Sequence, residues 1–139
     1  MASVFRVGEI NRVRKFYRLA GYKGEVGPGD VVIGASRGDD LVGAVRVANE
    51  HSVQVLRGMR VKPEFQRQGI GARILEEVRL VLEGRECFAI AYAHLETFYG
   101  RIGFRKIDER EAPAFLRERI ETYRTENPQQ EFILLRKPR

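Results

Sequence analysis

The chain has one cysteine, Cys87, in 139 residues, so no internal disulfide can form, which agrees with a reducing compartment. No apolar run approaches the roughly 18 residues that a membrane span needs. The opening stretch "MASVFRVGEINRVRKFYRL" lacks the continuous apolar core of a signal peptide. A cytoplasmic protein with no membrane partner is therefore expected. Basic residues never run to five in a row, and neither a Lys/Arg-rich tail nor an RNP-type aromatic signature occurs, so a nucleic-acid partner is not expected either.

The composition that is present is that of an ordinary soluble domain, with 43% hydrophobic and 32% charged residues. The length suits a single domain spanning residues 1–139. A net charge of +6, carried mostly by arginine, favours something acidic as a partner: nucleic acid, an anionic surface or a phosphorylated small molecule. Because the charges are dispersed, a solvated surface accounts for most of them.

Periodicity gives the order of elements. Ile10, Val13, Phe16, Tyr17 and Ala20 fall at helical spacing before the stop signal "GYKG". "VVIGAS", "LVGAVRVA" and "VQVLRGMRV", punctuated by "RGDD" and "NEHS", read as an antiparallel meander. Ile74, Leu75, Val78 and Leu82 form one apolar stripe ending at Gly84. "CFAIAYA" reads as a buried strand, and Leu95, Phe98, Tyr99 and Ile102 as one side of a short helix ending at Gly103. A brief strand "FRKI", a helix through Phe115, Leu116, Ile120 and Tyr123, and a closing strand "EFILLR" complete the chain. The fold class expected is α/β (α+β), with a mixed sheet and helices packed on its faces.

Between "VQVLRGMRV" and the next helix lies "QRQGIG", residues 66–71. The first amides of a helix have no internal partners and point toward the loop before it, so an anion there is stabilised by those amides and by the helix dipole. Glycines at 69 and 71 let a ligand approach the backbone, although a tight turn alone would also use them. A P-loop is excluded because Ala72-Arg73 follows Gly71, and a dinucleotide fingerprint because position 74 is isoleucine.

At this point the sequence resembles the GNAT superfamily of acyl-CoA-dependent N-acyltransferases. The family's Gln/Arg-x-x-Gly-x-Gly/Ala motif, after a strand ending in Val-x-Pro, stands here as Val61-Lys62-Pro63-Glu64-Phe65-Gln66-Arg67-Gln68-Gly69-Ile70-Gly71. Its second motif stands as Phe98-Tyr99-Gly100-Arg101-Ile102-Gly103-Phe104, in the right order and at a plausible separation. The resemblance runs from about Val31 to Ile107, fits the first helix loosely, and is only compatible with the chain after Arg110.

The resemblance implies a mostly antiparallel GNAT-like sheet, splayed between its fourth and fifth strands and flanked by helices. It implies acetyl-CoA as cosubstrate, no metal, and a primary amine of a small molecule, amino acid or protein as acceptor. The amides around Gln66, Arg67, Gln68, Gly69, Ile70, Gly71 and Ala72 would hold the pyrophosphate. The pantetheine arm would lie along Met59, Arg60 and Val61 like an added strand. Tyr99 would be the general acid that protonates the departing thiolate, a phenol being protonated at neutral pH. The strand glutamate that some relatives use as base is replaced by Val55, which leaves Glu50 and His51, in the turn before that strand, as candidates. His94 reads as a helix-start residue, and Tyr92 stands where many relatives carry asparagine. A homodimer is compatible with this reading. The alternative from another class is a coenzyme A-binding sensor or interaction domain without turnover.

Overall fold

The computed structural model describes residues 2–139. The chain divides into two compact units, Met1–Glu83 and Gly84–Arg139. The first holds strands β1 (Ser3–Arg6), β2 (Val31–Arg37), β3 (Asp40–Glu50) and β4 (Val53–Val61), with helices α1 (Ile10–Leu19) and α2 (Ile70–Val81). Its strands pair in chain order, each antiparallel to the next, so the expected meander is present. Strand β1 was not legible in the sequence: four residues without clear alternation leave no period to read, and Ser3 meets Ser36 across the pair.

Strand β3 explains the layering of this unit, because Leu41 to Ala48 are all buried and their side chains alternate between two faces. Ala44 belongs to the cluster formed with Val13, Phe16 and Tyr17 of α1. On the other face a Cβ at Gly43 would stand 3.1 Å from the Ile74 side chain of α2. Helices therefore cover both sides of β3. Phe16 is a large side chain that is 5% exposed, and its burial stabilises the unit by about 1.5–3 kcal/mol.

The β3–β4 hairpin turns on His51 and Ser52, both with positive φ (50° and 64°), the twist that two-residue hairpins favour. Farther along, Arg46 faces Arg57 while Ala44 faces Arg60, so Gly58 and Met59 together oppose Val45. That extra residue is a β-bulge, and Gly58 takes its left-handed position at φ 69°.

The second unit holds β5 (Cys87–Tyr92), α3 (Glu96–Gly100), β6 (Arg105–Lys106), α4 (Ala114–Glu126) and β7 (Phe132–Lys137). Here β7 pairs antiparallel with both β5 and β6. Leu116 and Ile120 bury the apolar side of α4, and Asn127 ends the helix as expected. The helix expected through Leu95–Ile102 is shorter than its apolar stripe suggests. It begins as a 3₁₀ turn, Ala93–Leu95, and gives five α-helical residues before Gly103 turns left-handed at φ 102°. The chain is a mixed α/β protein with mostly antiparallel strands flanked by helices, the expected class.

Candidate active site

The loop Gln66–Gly71 leaves β4 through a 3₁₀ turn at Pro63–Phe65 and feeds α2. Gly69 is the N-cap at φ 78°, a conformation that favours glycine, and a Cβ there would meet nothing within 4 Å. No side chain caps this helix, and its first turn contains no acidic residue. The first amide to reach a helical acceptor is that of Arg73, which donates to the Gly69 carbonyl at 3.1 Å. The amides of Ile70, Gly71 and Ala72 lie before it, and the positive end of the dipole has no local counter-charge. These features fit an anionic ligand such as a pyrophosphate.

The two glutamines brace this loop. Gln66 Nε2 donates to the Val61 carbonyl at 2.9 Å, and Gln68 Nε2 to the Glu64 carbonyl at 3.3 Å. Their side chains tie the loop back to the strand exit. Arg67 is exposed and left-handed at φ 64°, a strained position for a residue with a Cβ. Arg73 donates to the Ala2 carbonyl at 2.6 Å, which ties it to the N-terminal segment.

On β4, Met59 and Val61 are half-buried and Arg60 is exposed. Arg60 Nη1 donates to the Met59 carbonyl at 2.9 Å, so a ligand lying along this strand meets that bond first. Glu50, at the end of β3, accepts from Arg57 Nη1 at 2.9 Å in a partly buried ion pair. His51 is exposed in the turn beside it. Tyr99, in the second unit, is 8% exposed, with its ring centroid 5.0 Å from Phe98 and 6.2 Å from Phe104, both edge-on. His94 is exposed and stacks on Tyr92 with ring centroids 5.5 Å apart.

A polar cluster in the first unit escaped the sequence reading. Arg46 lies in the middle of β3, only 2% exposed, and its Nη1 pairs with Asp30 at 2.7 Å. Its Nε and Nη2 both donate to the Tyr22 hydroxyl, at 3.1 and 2.8 Å. The Tyr22 ring lies 4.5 Å from that of Tyr17, whose hydroxyl is buried and has no hydrogen-bond partner among the described residues. Burial pushes the Tyr17 phenol well above its ordinary range and Tyr22 adds to this, while Arg46 and Arg60 pull it partway back. The signals were an arginine inside "LVGAVRVA" and a glycine inside "VQVLRGMRV": the first implies a buried partner, the second a bulge. Neither names the residues brought in from α1 and the segment after it.

The family described as an acetyltransferase (GNAT) domain matches residues 9–117. That span is well over half of the chain, and the chain belongs to the GNAT acetyltransferase family. Among solved structures it is similar to Escherichia coli ElaA, with a TM-score of 0.69 at 12% identity over 99% of both chains. It is also similar to the ribosomal-protein-S18-alanine N-acetyltransferase of E. coli, with a TM-score of 0.65 at 14% identity over 99% of this chain and 94% of that one. N-acetylglutamate synthase from Neisseria gonorrhoeae, solved with coenzyme A and N-acetyl-glutamate, gives a TM-score of 0.66 at 19% identity over all of this chain and 36% of that one. Identities this low establish likeness of fold. No curated protein sequence matches. Among the described residues, no helix is long and apolar enough to cross a membrane.

Proposed function

We propose that the chain is a single-domain, cytoplasmic N-acetyltransferase that moves an acetyl group from acetyl-CoA to a primary amine by direct attack. The observation that carries this reading is the uncapped start of α2, where the amides of Ile70, Gly71 and Ala72 precede the first intrahelical bond and no carboxylate stands in the first turn. The pyrophosphate would be held by the amides from Arg67 to Ala72, and the pantetheine arm by the main chain of Met59, Arg60 and Val61, once the Arg60 side chain has given up the Met59 carbonyl.

The amine nitrogen would attack the thioester carbonyl. The C–S bond then breaks, and the thiolate takes a proton from the Tyr99 hydroxyl. An amide of the β4 bulge would stabilise the developing oxyanion. The amine must lose a proton to react, and Glu50 or His51 would accept it directly or through water. Glu50 is held by Arg57 in an ion pair at 2.9 Å, and His51 stands exposed in the turn beside it.

The test is calorimetric titration with acetyl-CoA, followed in the same sample by thiol release against a panel of amines. Binding with acceptor-dependent release supports the transferase. Binding without release from any acceptor would replace it with a coenzyme A sensor, and absence of binding would remove the phosphate role of the loop.

A further inference from the structure

Tyr17 carries a group that packing alone does not explain. Its ring lies in the core with Val13 and Phe16, a place that phenylalanine fills equally well. The residue is 2% exposed, and among the described residues its hydroxyl has no hydrogen-bond partner. A buried polar group without a bond lowers stability. Groups kept against stability concentrate where a fold serves a function.

The neighbour of this hydroxyl is the bulge of β4. A Cβ on Gly58 would stand 2.9 Å from it, 3.2 Å from the ring carbon that bears it and 3.1 Å from the same carbon of Tyr22. Two phenols therefore close over one side of Gly58. Gly58 is left-handed at φ 69°, and glycine leaves such a conformation more readily than other residues because no Cβ restricts it. Its dihedrals set the direction of the next peptide, whose N–H is that of Met59, and the extra residue of a bulge stands outside the regular ladder. The ladder cannot hold this peptide in one orientation. The phenols can.

They are themselves braced from both sides. The Tyr22 amide donates to the Tyr17 carbonyl at 2.9 Å, and the two ring centroids lie 4.5 Å apart. Arg46 fixes the Tyr22 hydroxyl with two hydrogen bonds, and Asp30 fixes Arg46 at 2.7 Å while accepting from the Gly27 amide at 3.0 Å. Beyond the bulge, the Arg60 guanidinium lies 5.2 Å from the centre of the Tyr22 ring and donates to the Met59 carbonyl. All of these residues belong to the first unit.

We propose that Tyr17 is a positioning residue: its buried hydroxyl, together with Tyr22 held by Arg46, fixes the Gly58 bulge and so aims the Met59 amide at the thioester oxygen. The aim rests on the transferase reading, which supplies that oxygen, while the fixing of the bulge is read separately in the free chain. The full chain, isotope-labelled, is compared with Y17F and Y22F in two ways. The amide magnetic resonance signals of Gly58 and Met59 are recorded without ligand, and thiol release from acetyl-CoA is followed with the best acceptor of an amine panel.

Y17F removes no hydrogen bond, so its Tm should equal or exceed that of the wild type. Its Gly58 and Met59 signals should broaden or double while those of β7 stay unchanged. Its kcat should fall about tenfold or more with the KM for acetyl-CoA within about twofold, the pattern of an interaction lost in the transition state. Y22F frees its ring from Arg46 and should show the same two effects at a lower Tm. A Y17F that loses Tm, or that leaves both readouts unchanged, overturns the proposal, as does a fall in kcat with no change at Gly58 and Met59. Wild-type kcat in Y22F removes the brace. If the wild-type chain releases no thiol with any acceptor, the transferase reading fails; perturbed Gly58 and Met59 signals in Y17F then keep the fixed bulge, and unperturbed ones remove it too.

Discussion

Each unit holds a cavity, and the arginines that line the two differ in whether an acid stands beside them. In the second unit three arginines have acid partners: Arg110 pairs with Asp108 at 3.0 Å, Arg124 with Glu121 at 2.6 Å and Glu109 at 3.0 Å, and Arg136 with Glu86 at 2.6 Å. The hydrogen bonds that Asp108 accepts from the Arg110 side chain and amide hold its carboxyl below the usual range. A cavity of about 700 Å³ in that unit is lined by several of these same residues, including Asp108, Glu109 and Arg124, each of which already has a charged partner. In the first unit, Arg14 and Arg18 line a cavity of similar size, and among the described residues neither has a carboxylate within salt-bridge distance. A net charge of +6 therefore says little about where an anion binds. What matters is which cations the fold leaves without an acid.

The largest expected disturbance is at the buried Arg46–Asp30 pair of the first unit. Asp30→Ala strands a guanidinium that keeps only the Tyr22 hydroxyl, and chemical denaturation should show a loss of about 3–5 kcal/mol. A loss below 1 kcal/mol would mean that Arg46 reaches solvent, and the contrast between settled and unsettled arginines would fail. Next in size is Tyr99→Phe, expected to lower turnover about 100-fold while acetyl-CoA affinity stays within twofold, because a general acid acts as the leaving group departs. An equal loss of binding would assign Tyr99 to packing with Phe98 and Phe104. Gly69→Val forces a β-branched residue to φ 78° at the helix start, costing about 1–3 kcal/mol of stability and weakening acetyl-CoA binding about tenfold. Unchanged affinity in the folded variant would exclude the loop from the phosphate site. The smallest effect is expected in the second unit, where Glu109→Gln removes one of the two carboxylates on the half-exposed Arg124 and should cost about 0.2–1 kcal/mol with kcat/KM unaltered. A change in acceptor preference there would show that the paired region also recognises substrate.

Much of the framework was readable from period and punctuation. The meander from Val31 to Val61, the α2 stripe and α4 all have apolar spacing that only one element type can bury. The loop at 66–71 was readable because a left-handed position at a helix start favours glycine for a local physical reason. Features without local signals were not. Strand β1 exists because β2 offers an edge to it, a tertiary fact that four residues cannot announce. Arg46, Asp30, Tyr22 and Tyr17 come from β3, α1 and the segment between α1 and β2, so nothing in spacing joins them. Nor does sequence reveal that Glu50, a candidate base, is held by Arg57.

The contact between Gly58 and Tyr17 ties together two positions 41 apart in the sequence. The phenol occupies the space that any side chain on the bulge would need, so neither position can drift alone. A larger residue at 58 is tolerated only after 17 has shrunk, and the intermediate with glycine and a small residue would leave a void beside β4. The tyrosine and the glycine should therefore be inherited, and lost, as a pair.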